Sequence, residues 1–110
     1  MQLLVLLIIL LYTMKVIIVG AGNVGIQIAR QLIEENRDVV IIERDLEKVK
    51  GASNTLDCMV VHGQANNRET LVQSGIGEAD FFISVTESDE MNMIACGLVS
   101  SEFDVPYKIA

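Results

Sequence analysis

MKVIIVGAGNVG, Met14 to Gly25, is a short run of mostly β-branched residues that stops in three glycines spaced G-x-G-x-x-G. Lys15 to Val19 shows no polar alternation, so it predicts a strand buried on both faces. In a strand–turn–helix of this kind Gly20 permits the tight bend and Gly22 lets main-chain N–H groups approach a diphosphate. Gly25 lets the helix pack close to the strand. A helix opening at Asn23 adds unpaired N–H donors and the positive end of its dipole, which together hold an anion even in an acidic protein. Gly20, Ala21, Gly22, Asn23, Val24 and Gly25 are therefore the candidate phosphate loop.

Outward from this turn the same unit repeats. Asn23 to Asn36 predicts a helix with Val24, Ile28 and Leu32 on its inner face, widened by Ala29 and Ile33. Asp38 to Glu43 (DVVIIE) is a second buried strand, and Asp45 caps a short helix over Leu46 to Ser53. Cys58 to Val61 is a third strand. Asn66, with Glu69 three residues on, opens a helix through Ser74 that Gly75 and Gly77 stop. Phe81 to Val85 is a fourth strand, Asp89 to Ser101 a helix with Met91, Ile94, Ala95 and Leu98 on one face, and Pro106 to Ile109 begins a fifth strand. Buried strands alternating with helices imply a Rossmann-like, doubly wound parallel α/β sheet. A single domain is expected over 14–110, lacking the last strand or strands of such a sheet, so that a partner or further chain covers its open edge.

The glycine triplet alone is a weak signal. Here it follows a strand, opens a helix, and is followed by an acid, Glu43, at the end of the second strand, about 20 residues on. A carboxylate there accepts hydrogen bonds from adenosine ribose hydroxyls and repels a 2′-phosphate, which favours NAD(H) over its phosphorylated form. Arg44 works against that preference, because a guanidinium can pair with a phosphate or stack on adenine.

Composition narrows the function classes. Eight Lys and Arg against 15 Asp and Glu give a net charge of −7, which repels nucleic acid. The two cysteines, Cys58 and Cys96, lack metal-ligand spacing and read as small buried apolar side chains. Residues 1–13, MQLLVLLIILLYT, form an apolar extension whose uncharged run, Leu3 to Leu11, is about half of the roughly 20 residues needed to span a bilayer. It lacks the basic start and small-residue cleavage site of a signal peptide. The extension is expected to be foreign to the domain, or buried against a partner subunit or a membrane surface.

From Met14 onward the chain resembles the nucleotide-binding domain of potassium-transport regulators, the RCK/KTN (TrkA-N) family of Trk- and Ktr-type regulatory subunits. The resemblance is carried by KVIIVGAGNVG, DVVIIERD, VVHGQA, ETLVQSGIGEAD and above all ISVTESDEMNMIA, where Thr86, Glu87, Asp89, Glu90 and Asn92 match the family pattern. It implies a regulatory domain that binds NAD(H), with ATP, ADP or AMP as alternatives, and that gates a membrane-embedded potassium transporter or channel subunit. A cytoplasmic location at the inner face of the membrane and a homo-oligomer, dimer or higher, are implied too. Gln64, Ala65 and Thr86 join Glu43 and Arg44 as candidate nucleotide contacts. Two departures stand out: Gln64 follows Gly63 where the family usually has Asp, and Asn23 stands where some ATP-binding members have Arg.

No catalytic or metal-ligating residue is expected. His62, the only histidine, has no carboxylate or thiol at ligand spacing and reads as solvated or bonded to backbone. Glu87, Asp89 and Glu90 sit where carboxylates complement the dipole of the following helix. The competing reading is the cofactor-binding half of an NAD-dependent dehydrogenase, which would need an acid or base and a substrate pocket this chain does not supply.

Overall fold

A computed structural model describes residues 2–110; Met1 of the expected extension and the side chains of residues 8–13 lie outside the described set. The chain folds as α1 (Gln2–Thr13), β1 (Lys15–Val19), α2 (Asn23–Glu34), β2 (Asp38–Glu43), α3 (Leu46–Thr55), β3 (Met59–His62), α4 (Arg68–Gln73), a 3-10 turn (Ile76–Glu78), β4 (Phe81–Ser84), α5 (Asp89–Glu102) and β5 (Tyr107–Ile109). The five strands form one sheet in the order β3-β2-β1-β4-β5, and every pair is parallel. This is the doubly wound arrangement expected from the run of apolar strands.

The absence of polar alternation has a direct structural cause: each central strand feeds two cores. Ile17, Val19, Val40, Ile42 and Phe82 point to one side, where Leu71 of α4 and Ala95 and Val99 of α5 cover them. Val16, Ile18, Val39 and Ile41 point to the other, beneath Ala29 of α2 and Ala52 of α3. Ile17, Ile18, Ile41 and Ile42 are all 0% exposed, and each such side chain stabilises the fold by about 1.5–3 kcal/mol relative to its exposed state.

Local signals set the helix starts. Asp45 accepts from Glu47 N at 3.0 Å, Asn67 from Thr70 N at 3.1 Å and Ser88 from Met91 N at 3.0 Å, each an N-cap. The cap of α4 is thus Asn67 rather than the expected Asn66: the pair of asparagines is ambiguous in sequence, and it is the side chain of the second that accepts from the N–H three residues ahead. β3 also begins one residue later than expected, with Cys58 outside it.

Two helix faces differ from the periodicity. In α5 the buried stripe is Asn92, Ala95 and Val99, whereas Ile94 is 48% exposed. A polar asparagine holds the inward position because its amide is hydrogen-bonded there to Ser84 and Thr86. In α2 the buried positions are Gly25 and Ala29, and Val24 is 58% exposed. Gly25 must face β1, which rotates Val24 outward. In α1, Leu3 to Leu7 are exposed, and no helix among the described residues is long and apolar enough to cross a membrane.

Replacing Asn67 with Ala is expected to cost about 1 kcal/mol in urea unfolding, and replacing Asn66 only a few tenths. Equal losses would mean that the cap is shared.

Candidate functional site

The strand order reverses direction between β1 and β4, and ligands of open parallel sheets bind beyond the carboxyl ends of the strands at such a point. The turn after β1 lies there. Gly20 N donates to Ile42 O at 2.9 Å. The φ of Gly20 is +110°, and a Cβ built on it would lie 3.0 Å from Val85 O, so both backbone conformation and space require glycine. A Cβ on Gly25 would fall 1.9 Å from Gly20 O, which fixes how closely α2 approaches the turn.

Gly22 differs. It is the N-cap of α2 in an extended conformation, and a Cβ there meets nothing within 4 Å. Nothing within the chain requires a glycine at this position. The first N–H groups of α2 have no intrahelical acceptor, and Gly22 supplies no side-chain cap, in contrast to Asp45, Asn67 and Ser88. The open space and the uncapped donors lie together, which fits an anionic diphosphate.

Glu43 holds this turn in place. Its carboxylate is buried, with Oε1 accepting from Ala21 N and Oε2 from Asp45 N, both at 2.8 Å. One side chain thus ties the glycine turn to the turn between β2 and α3. His62, across the β2–β3 register from Glu43, places Nε2 3.0 Å from Arg44 O and secures the same turn from the other side. The histidine is backbone-bonded, as the sequence indicates.

Beside these turns lies a cleft of about 330 Å³, lined by Val19, Gly20, Ile42, Glu43, Arg44, Lys48, Gly63, Gln64, Ala65, Thr86, Glu87, Ser88 and Met91. Its far wall is built by Asn92. Asn92 Oδ1 accepts from Ser84 Oγ at 2.9 Å, Thr86 N at 3.0 Å and Thr86 Oγ1 at 2.6 Å, while Nδ2 donates to Thr86 O at 3.2 Å. Ser88 N donates to Thr86 Oγ1 at 3.2 Å. The hydroxyl of Thr86 therefore serves the wall itself, and its strand-end role is visible in the geometry.

Of the residues singled out in the sequence, Gly20, Glu43, Arg44, Gln64, Ala65 and Thr86 line the cleft. Ala21, Gly22, Asn23, Val24 and Gly25 form the adjoining turn and helix start, with Gly25 buried in packing and Asn23 and Val24 exposed. Lys48, Ser88 and Met91 were not among the candidates. Lys48 could have been found as a cation in the first turn of the helix capped by Asp45, close behind the strand that ends in Glu43. Met91 gives no comparable signal.

The remaining ionisable groups add little. Burial, reinforced by the charge of Asp57, pushes the Cys58 thiol up; burial also raises Cys96, opposed by Lys108. Both shifts keep the thiols protonated at neutral pH. Among the described residues no three His, Cys, Asp or Glu side chains cluster as a metal site would require.

Because both Glu43 oxygens serve main-chain donors, Glu43→Gln is expected to lower ligand-free stability by about 2 kcal/mol, since an amide NH2 would face an N–H donor. Unchanged urea unfolding would show that the carboxylate does not tie the two turns together.

Residues 16–110 match the TrkA-N domain family. The chain is 42% identical to the Trk system potassium uptake protein TrkA of Azorhizobium caulinodans over 97 residues, 88% of this chain and 21% of that protein. It is 37% identical to a TrkA homolog of Methanothermobacter thermautotrophicus over 97 residues, 88% of this chain and 44% of the relative. It thus spans about a fifth of the length of the TrkA protein and under half that of the homolog. Among solved structures, the GsuK channel bound to NAD has a similar fold, with a TM-score of 0.77 at 20% identity over 88% of this chain and 18% of that one. The AMP-bound Kef C-terminal domain of Shewanella denitrificans gives 0.72 at 20% identity over 86% of this chain and 55% of that one. With the profile match running from the second residue of β1 to the last residue of the chain, this protein belongs to the TrkA-N domain family.

Proposed function

We propose that the chain is the nucleotide-sensing domain of a potassium-uptake regulator, and that it binds NAD(H) or an adenine nucleotide (ATP, ADP or AMP) to gate a membrane-embedded partner. The observation that carries this reading is the space above Gly22 beside the uncapped start of α2, in the same turn as Gly20, which lines the cleft. The N–H groups there would hold the 5′-phosphates. Gly63, Gln64 and Ala65 would border the base, and Thr86 and Ser88 the opposite edge. A cleft of about 330 Å³ sits at the small end of ligand pockets.

Relatives named as Trk potassium uptake proteins support the regulatory half of the reading, and two neighbours of the same fold hold NAD and AMP. No chemistry is assigned to the cleft. A binding domain needs only about 1–3 kcal/mol of differential affinity between two states to regulate a partner. One route for that difference runs through α5: Ser88 and Met91 face the cleft, while Ala95 and Val99 of the same helix are locked in the core. We place the domain at residues 14–110, at the cytoplasmic face of the membrane, in a dimer or higher oligomer; residues 1–13 stand apart from it as an extension.

A saturating adenine nucleotide at about 100 times its Kd is expected to stabilise the chain by about 2.7 kcal/mol, read as a rise in Tm. Gly22→Leu is expected to abolish that rise at a cost of up to about 1 kcal/mol in ligand-free stability, because the added side chain enters open space but leucine is a poor N-cap. A retained shift in the variant would place the phosphates elsewhere. Oxidation or reduction of nicotinamide with a small substrate, followed by absorbance, would favour the dehydrogenase reading instead.

A further inference from the structure

The sequence assigns discrimination at the ribose to Glu43, but the structure gives that carboxylate other work. Both oxygens are held at 2.8 Å by main-chain N–H groups, and the residue is only 8% exposed. Little carboxylate surface is left for ribose hydroxyls, and its charge is met by two N–H dipoles. The groups that remain free at this end of the cleft are cations. Arg44 and Lys48 both line it, both are exposed, and neither makes an ion pair among the described residues.

The nearby acids do not neutralise them. Asp45 turns its carboxylate to Glu47 N, and Glu47 lies 3.9 Å from Lys50. Glu87 is the other acid on the cleft lining, and it comes from the turn after β4, whereas Arg44 and Lys48 follow β2. The roots of both cations are fixed: Arg44 lies between the two residues joined by the Glu43–Asp45 bond and has its carbonyl bonded to His62, and Lys48 stands in the first turn of α3. Two cations without an ion pair thus stand on one edge of a cleft, in a protein of net charge −7. A planar guanidinium with an ammonium beside it suits a phosphate oxygen cluster better than a sugar hydroxyl.

We infer that Arg44 and Lys48 form an anion-reading end of the cleft, and that its ligands include adenosine nucleotides carrying a phosphate on the ribose in addition to the 5′-phosphates. The inference rests on the nucleotide-binding reading above and revises the NAD preference expected from Glu43. The 2′- and 3′-phosphates share this chemistry.

Calorimetry at one fixed ionic strength distinguishes them. NAD+ is compared with NADP+ for the 2′-phosphate, and AMP with adenosine 3′,5′-bisphosphate for the 3′-phosphate, on the wild-type chain and on the Arg44→Gln/Lys48→Gln double variant. In at least one pair the phosphorylated ligand binds wild type no more weakly than its parent. In the double variant it weakens by at least about tenfold more than its parent does. Both substitutions are on exposed positions, and an unchanged ligand-free Tm verifies the fold. The inference is overturned if wild type disfavours the phosphorylated ligand by about tenfold in both pairs, or if the variant weakens parent and phosphorylated ligand equally. Binding of NAD+ or AMP in those cases leaves the nucleotide-sensing reading standing. Failure of wild type to bind any of the four overturns the inference, and failure to bind NADH, ADP and ATP as well overturns both.

Discussion

The close approach of Gly25, at the start of α2, to the carbonyl of Gly20 governs the rest of the structure. Even one added methyl carbon at Gly25 would sit 1.9 Å from that oxygen. Only with two glycines in contact does α2 start directly over the end of β1, and only then do its first N–H groups point past the sheet edge. Glu43 completes the arrangement by joining the glycine turn to the start of α3 through Ala21 and Asp45. Without this joint, the strand order would still create a crevice, but its phosphate-facing donors would have no fixed position.

The three glycines of the motif serve three physical ends. Gly20 is required by a positive φ and by Val85, Gly25 by contact with backbone, and Gly22 by nothing inside the protein. What sets Gly22 apart is that its open space adjoins the uncapped first N–H groups of α2, a combination that suits an anion. The far wall is equally rigid, because Asn92 gathers Ser84 and Thr86 into a closed set of hydrogen bonds. Satisfied buried polar groups of this kind specify one arrangement. The cleft therefore lies between two preorganised turns.

Much of the fold was legible in the sequence because buried parallel strands and helix caps leave local signatures. Lys15 to Val19 and DVVIIE read as strands through their apolar, largely β-branched runs, and Asp45 as the cap of the short helix that begins at Leu46. Legibility failed where tertiary context outweighs local pattern. Asn92 occupies an inward position that periodicity assigns to an apolar residue, and Val24 is turned outward by the demands of Gly25. In the site, the type and place of Glu43 were readable, but its partners were not, since Ala21 is 22 residues away and becomes a neighbour only through the β1–β2 pairing. Lys48 enters the cleft for a similar reason: its position depends on where α3 begins, not on any motif.

The central claim, that the uncapped start of α2 holds the phosphates of an adenine nucleotide, is tested most directly by following main-chain amide resonances during titration with ADP. The account predicts that the amides of Gly22, Asn23 and Val24 shift most, in step with those of Gln64 and Thr86 across the cleft. Saturable binding that leaves the α2 amides unmoved, or shifts confined to residues distant from the carboxyl edge of the sheet, would contradict it.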